Sequence, residues 1–223
     1  GSVKCWGENS YGQLGLGDTI NRGDNSSEMG DNLTAIDLGT GRTATAIAAG
    51  SNHTCAILDN ASIKCWGSNA AGQLGLGDTN NRGDNSSDMG NLLAVDLGSG
   101  IKAKAIAAGN QHTCAILDNS SVKCWGANAS GQLGLGDDDN RGDGSASGGM
   151  GDLLDVVDMG SGITAKAIVA GESHTCAILN NSAIKCWGRS NEGQMGLTKY
   201  CATVPCDDNI GDGVGGDEMG VAA

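Results

Sequence analysis

Three histidines, nine cysteines and a set of acidic loop residues are the side chains of this 223-residue sequence that could do chemistry, and all but Cys201 and Cys206 recur at regular intervals. His53, His112 and His174 each open the same hexapeptide, His-Thr-Cys-Ala-Ile-Leu. A metal ion needs its ligands within about 2 Å. Side chains at one position of successive repeats stand much farther apart than that, so these histidines are expected to make structural hydrogen bonds and no metal is assigned. No Ser/His/Asp or Cys/His set stands out from the repetition, so no catalytic residue is assigned either. Arg22-Gly23-Asp24, Arg82-Gly83-Asp84 and Arg141-Gly142-Asp143 spell the tripeptide bound by integrin-like receptors. In a repeated loop the plainer expectation is a local Arg–Asp pair around a glycine turn. The same loops hold Glu28, Asp31, Asp88, Asp138 and Asp139 beside the calcium candidates Asp18, Asp24, Asp78, Asp84, Asp137 and Asp143. Oxygen-rich loops can coordinate calcium, but no D-x-D-x-D-G register is present, which favours a solvated acidic loop.

The cysteines are better defined. In HTCAILDNASIKCWG, from His53 to Gly67, two runs of alternating strand-type residues flank Asp59-Asn60, the pattern of a β-hairpin. Setting Cys55 opposite Cys65 puts Ile57 opposite Ile63, His53 opposite Gly67 and Thr54 opposite Trp66, with Asn60 at the tip. The later copies pair Cys114 with Cys124 around Asn119 and Cys176 with Cys186 around Asn181. Asparagine tolerates left-handed backbone angles, so it is expected to hold each turn. Cysteines at a directly opposed, non-hydrogen-bonded pair lie close enough for a disulfide. Cys201 and Cys206 are expected to pair with each other, leaving Cys5 unpaired or available for a bond between chains. The tryptophan beside each hairpin cysteine faces the other way, into the packing between neighbouring units.

These disulfides point to an oxidising compartment, so an extracellular or cell-surface location is expected. Asn25, Asn32, Asn52, Asn60, Asn85, Asn119, Asn128 and Asn180 begin N-x-S/T acceptors, adding N-linked glycans as the covalent additions expected. No signal peptide precedes Gly1, and the chain reads as a processed or recombinant segment. A net charge of −13 opposes phosphate backbones and anionic membrane surfaces, which excludes nucleic acid as the natural partner. No apolar run is long enough for a membrane-spanning helix. With 39 glycines, one proline and no phenylalanine, the core must rest on Ile, Leu, Val, Ala and close backbone approach.

The elements that position these residues repeat about every 60 residues. The cysteines of the Cys-Trp-Gly copies, Cys5, Cys65, Cys124 and Cys186, are spaced by 60, 59 and 62. After each comes GQLGLGD or a relative of it, then a long polar loop, then two strand-like segments ahead of the hairpin. An all-β fold follows, of four-stranded antiparallel blades at about 34–67, 93–126 and 154–188 in one repeat domain. Residues 3–7 form an orphan strand, and 194–223 an irregular segment containing Cys201 and Cys206. Three blades are open within one chain.

The pattern CWGxNxxGQLGLGD followed by IAAGxxHTCAIL and another CWG resembles the repeat of the regulator of chromosome condensation family. The resemblance covers nearly the whole chain and implies β-propeller blades that bind partners on their faces. The family spans a nuclear nucleotide-exchange factor, a plant photoreceptor and a secreted bacterial enzyme inhibitor, so it leaves function open. Here the cysteines beside Trp and after His-Thr, and the acidic NRGD loop, depart from the family pattern. The expected function is that of a non-enzymatic extracellular structural or adhesive protein that joins copies of itself, head to tail, into a filament or larger assembly. The alternative is a secreted propeller recognising a cell-surface protein or glycan. A nucleotide-exchange module is a weaker third.

Overall fold

The computed structural model describes residues 1–196 and the backbone of 209–210. The hairpins form as their alternation dictates. β1 (Ala44–Ala49), β2 (His53–Leu58) and β3 (Ile63–Gly67) make the first antiparallel sheet, with β2 in the middle. β4 (Ala103–Ala108), β5 (His112–Leu117) and β6 (Val122–Gly126) make the second. The third contains β7 (Ala165–Ala170), β8 (His174–Leu179) and β9 (Ile184–Arg189), extended by β10 (Asn209–Ile210). The register is the expected one: Cys55 faces Cys65, Ile57 faces Ile63, His53 faces Gly67 and Thr54 faces Trp66. Disulfides close Cys55–Cys65, Cys114–Cys124 and Cys176–Cys186, each across a separation of 10 residues. A loop of that length restricts the unfolded chain by about 3 kcal/mol. Cys5 carries a free thiol, which burial pushes above its usual range. The expected Cys201–Cys206 pair lies outside the described residues.

Two expectations about local structure are corrected. Each sheet holds three consecutive strands from its own repeat where four were expected. The segments around Ile36, Val95 and Val157 bury their apolar side chains as a strand would. Their ladder is minimal, through bonds from Ile36 N to Val3 O, Val95 N to Ile63 O and Val157 N to Val122 O. These bonds run backward, to the hairpin of the preceding repeat, so each segment works as an extended outer edge of the unit before it. The second correction concerns the turn. At these turns the left-handed residues are Ala61, Ser120 and Ser182, each one position beyond the asparagine expected at the tip, Asn60, Asn119 or Asn181. Leu58 N bonds Ser62 O and Ala61 N bonds Leu58 O, the signature of a tight turn followed by one left-handed residue. Asn60 acts through its side chain, whose Oδ1 accepts from Ser62 N and Oγ.

Because β2, β5 and β8 are central, successive side chains along them pack against different neighbours. The His-Cys-Ile face of one unit meets the Thr-Ala-Leu face of the next. The first seam buries Cys55, Ile57, Ile63 and Cys65 against Ala115, Leu117 and Trp125. The second repeats this with Cys114, Ile116, Val122 and Cys124 against Ala177, Leu179 and Trp187. β1, β4 and β7 stand side by side on the inner edge. The orphan residues Val3 and Cys5 pack on the first unit, in a cluster with Trp66, Ile36 and Leu38. Among the described residues, no helix is long and apolar enough to cross a membrane.

Candidate functional site

The chemistry-bearing residues converge on the seams. Thr113 Oγ1 donates its only hydrogen to Gln73 O at 2.9 Å. His53 Nε2, 2.9 Å from Thr113 Oγ1, must therefore be the donor in that contact. Trp125 Nε1 also donates to Gln73 O, at 3.1 Å. His53, Thr113, the Gln73 carbonyl and Trp125 thus form one chain of bonds across the first seam. His112, Thr175, Gln132 O and Trp187 reproduce it across the second. The tautomer leaves Nδ1 of His53 and of His112 bare, and both atoms are buried without a hydrogen-bond partner. Burial pushes His53 down to about 4 and His112 to about 3, so both rings are neutral at pH 7.

The repeated Gly before each histidine is explained by this packing. A Cβ on Gly109 would overlap the His112 ring and the Gly171 carbonyl oxygen, and one on Gly50 would overlap the His53 ring and Gly109 O. Gly109→Ala is expected to destabilise the fold by about 3 kcal/mol through overpacking, read from the urea midpoint. An unchanged midpoint would contradict the seam geometry.

The acidic loops are fastened internally. Arg22 pairs with Asp18, Arg82 with Asp78 and Arg141 with Asp137, each at 2.6 Å and each with the aspartate four residues earlier, outside the Arg-Gly-Asp tripeptide. The other oxygen of Asp18, Asp78 and Asp137 accepts from the buried amides of Asn9, Asn69 and Asn128. Asp24, Asp84 and Asp143 are held apart from them, by Asn25 Nδ2, Asn85 Nδ2 and Ser145 N. Among the described residues no three His, Cys, Asp or Glu side chains gather around a cation position. Of the acceptor asparagines, Asn25, Asn32, Asn60, Asn85, Asn119 and Asn180 are exposed and Asn52 is half-buried. Asn128 is corrected: it is fully buried, with Nδ2 committed to Asp137, so the folded surface does not present it.

At the inner edge the turns after β1, β4 and β7 surround a cavity of about 440 Å³ lined by Ala49-Gly50-Ser51, Ala108-Gly109-Asn110 and Ala170-Gly171-Glu172. Sequence reasoning missed this convergence. The one available signal was that the two residues between the repeated Ala-Gly and His-Thr-Cys, Ser51-Asn52, Asn110-Gln111 and Glu172-Ser173, differ from unit to unit.

Sequence profiles described as "Regulator of chromosome condensation (RCC1) repeat" match residues 44–73, 103–132 and 165–194, and also 1–57 and 65–116. The chain belongs to this repeat family. Among its relatives, the ultraviolet-B receptor UVR8 of Arabidopsis thaliana is 31% identical over 194 residues, 87% of this chain and 38% of the receptor. The probable E3 ubiquitin-protein ligase HERC4 of Homo sapiens is 33% identical over 195 residues, 87% of this chain and 16% of the ligase. The chain therefore spans well under half of each. Prp20p of Saccharomyces cerevisiae superposes with a TM-score of 0.66 at 21% identity, over 90% of this chain and 44% of that one. That likeness shows the propeller fold. The structure of Prp20p was described together with its binding to Gsp1p and histones.

Proposed function

We propose that this chain is a non-enzymatic, extracellular structural or adhesive protein whose repeats join end to end with those of further copies, building a larger assembly or filament. The observation that carries the reading is the contrast among the four equivalent tryptophans. Trp66, Trp125 and Trp187 are fully buried beneath the loop of the preceding repeat, while Trp6 is 62% exposed. At the other end of the array Ile178 and Ile184 are exposed, although their counterparts in the first two units are buried in seams. In the seams inside the chain, the equivalents of these isoleucines and of this tryptophan are buried on opposite sides of one contact, and heterologous contacts of this kind propagate when further copies repeat them. The buried disulfides support an oxidising location, and the exposed acceptor asparagines would carry N-linked glycans. Cys5, a free cysteine half-buried against the first unit, is the residue this reading assigns to a bond between chains.

Electron microscopy with non-reducing gels of the purified chain should show assemblies that Trp6→Ala disperses. Monodisperse wild-type monomers with a free Cys5 thiol would overturn the reading. A second reading, a propeller face that recognises a protein or glycan, is favoured by the inner-edge cavity; it predicts a saturable soluble partner and no polymer.

A further inference from the structure

The inner-edge turns differ from one another in a chain that otherwise repeats itself closely. Ala-Gly precedes and His-Thr-Cys follows in all three units, yet the two residues between them are Ser51-Asn52, Asn110-Gln111 and Glu172-Ser173, and the first of each pair lines the cavity. At this first position the seam uses only the backbone: Ser51 N donates to Gly109 O and Asn110 N donates to Glu172 O, both at 3.2 Å. Framework duties are met without the side chains, which are left to differ around the 440 Å³ cavity.

We propose that this cavity is a recognition site for an arginine side chain presented by a partner protein. Its rim combines a carboxylate, an amide and a hydroxyl, all able to accept hydrogen bonds, and its lining includes no cationic residue. Its remaining lining residues are alanine and glycine, which leave room for a long side chain and offer methyl groups to its methylenes. The chain's net charge of −13 draws cations toward it. Guanidinium is the cation that fits several acceptors at once, because its planar fork binds a carboxylate in bidentate fashion while further N–H groups reach neighbouring oxygens. Glu172 is the charged anchor, with Asn110 and Ser51 setting orientation. The proposal rests on the second reading above, a ligand-binding face, and does not require end-to-end assembly.

The test is a titration of the isotope-labelled chain with a capped Gly-Arg-Gly peptide, followed by amide chemical shifts, with the lysine and citrulline versions as controls. Shifts are expected to concentrate at Gly50, Ser51, Gly109, Asn110, Gly171 and Glu172. Affinity should fall at least tenfold for the citrulline peptide and for Glu172→Gln, whose melting temperature should match the wild type because the side chain is exposed. Arginine binding that Glu172→Gln does not weaken, shifts lying elsewhere, or a neutral oligosaccharide that moves these amides while the arginine peptide does not, each overturns the site. A saturable partner whose binding is indifferent to Glu172→Gln keeps the ligand-binding reading and removes this proposal.

Discussion

Acidification from pH 7 to pH 4 is expected to remove about 6 kcal/mol of folding free energy through two histidines alone, about 3 kcal/mol from each of His53 and His112. In the native chain both rings are neutral, held to about 4 and about 3 by burial at the seams. In the unfolded chain each takes up a proton near the ordinary value of 6.5. Between those limits the unfolded state binds more protons, so stability is fully present above 6.5 and falls as pH drops toward the folded values. Neither ring can accept the proton at Nδ1 without placing a charge among the disulfide, glycine and threonine of the seam. His112 has no compensating carboxylate; its largest charged influences are the other histidines. Thermal unfolding followed from pH 8 to pH 3.5 should show the decline, and a His53→Gln/His112→Gln double variant, which keeps a donor toward threonine, should flatten it between pH 6.5 and 4. Native-state imidazole signals of His53 and His112 titrating near 6.5 would show the seam argument to be wrong.

The second large effect is at Trp125. Replacing it by alanine is expected to lower the unfolding free energy by about 4 kcal/mol, the scale for emptying a fully buried large aromatic site. The indole fills the first seam against Leu117, Leu74 and Val95 and donates to the Gln73 carbonyl. Trp125→Phe, which keeps most of the ring and loses the donor, should cost about 1–2 kcal/mol and provides a folded comparison. Trp6→Ala removes the same residue type from the equivalent repeat position, yet should change the stability of dilute chains by less than about 0.5 kcal/mol, as exposed substitutions do. Chemical denaturation of the three variants checks the order. Equal losses for Trp6 and Trp125 would mean that burial at the seam is not what distinguishes them.

Much of this was legible because the relevant forces are local or repeat-bound. Alternation along HTCAIL and IKCWG imposes a hairpin, and one register alone opposes the cysteines; that register then fixes the partners of His53 and Thr54. The expected fourth strand is not formed, for a specific reason. Ile36 and Leu38 alternate as strand residues do because both are buried, but burial and ladder bonding are separate properties, and this segment has little of the second. The turn was misassigned by one residue because asparagine's preference for left-handed angles was satisfied in another way, by its side chain accepting from Ser62. Asn128 reads as a glycosylation acceptor, and only its burial against Asp137 withdraws it.

By itself, the sequence determined the repeat, the pairing of the three hairpin disulfides, the hairpin register and the net negative charge, since each depends on residue type and short-range spacing. Tertiary structure decided what lies across a seam. The bonds from His53 to Thr113 and from Trp125 to Gln73 join residues 60 and 52 positions apart, and the tautomer follows only when the acceptor's own hydrogen is already placed. It also decided that Ser51, Asn110 and Glu172 share one cavity, because their convergence is set by how successive sheets stack along the inner edge, which no local pattern encodes.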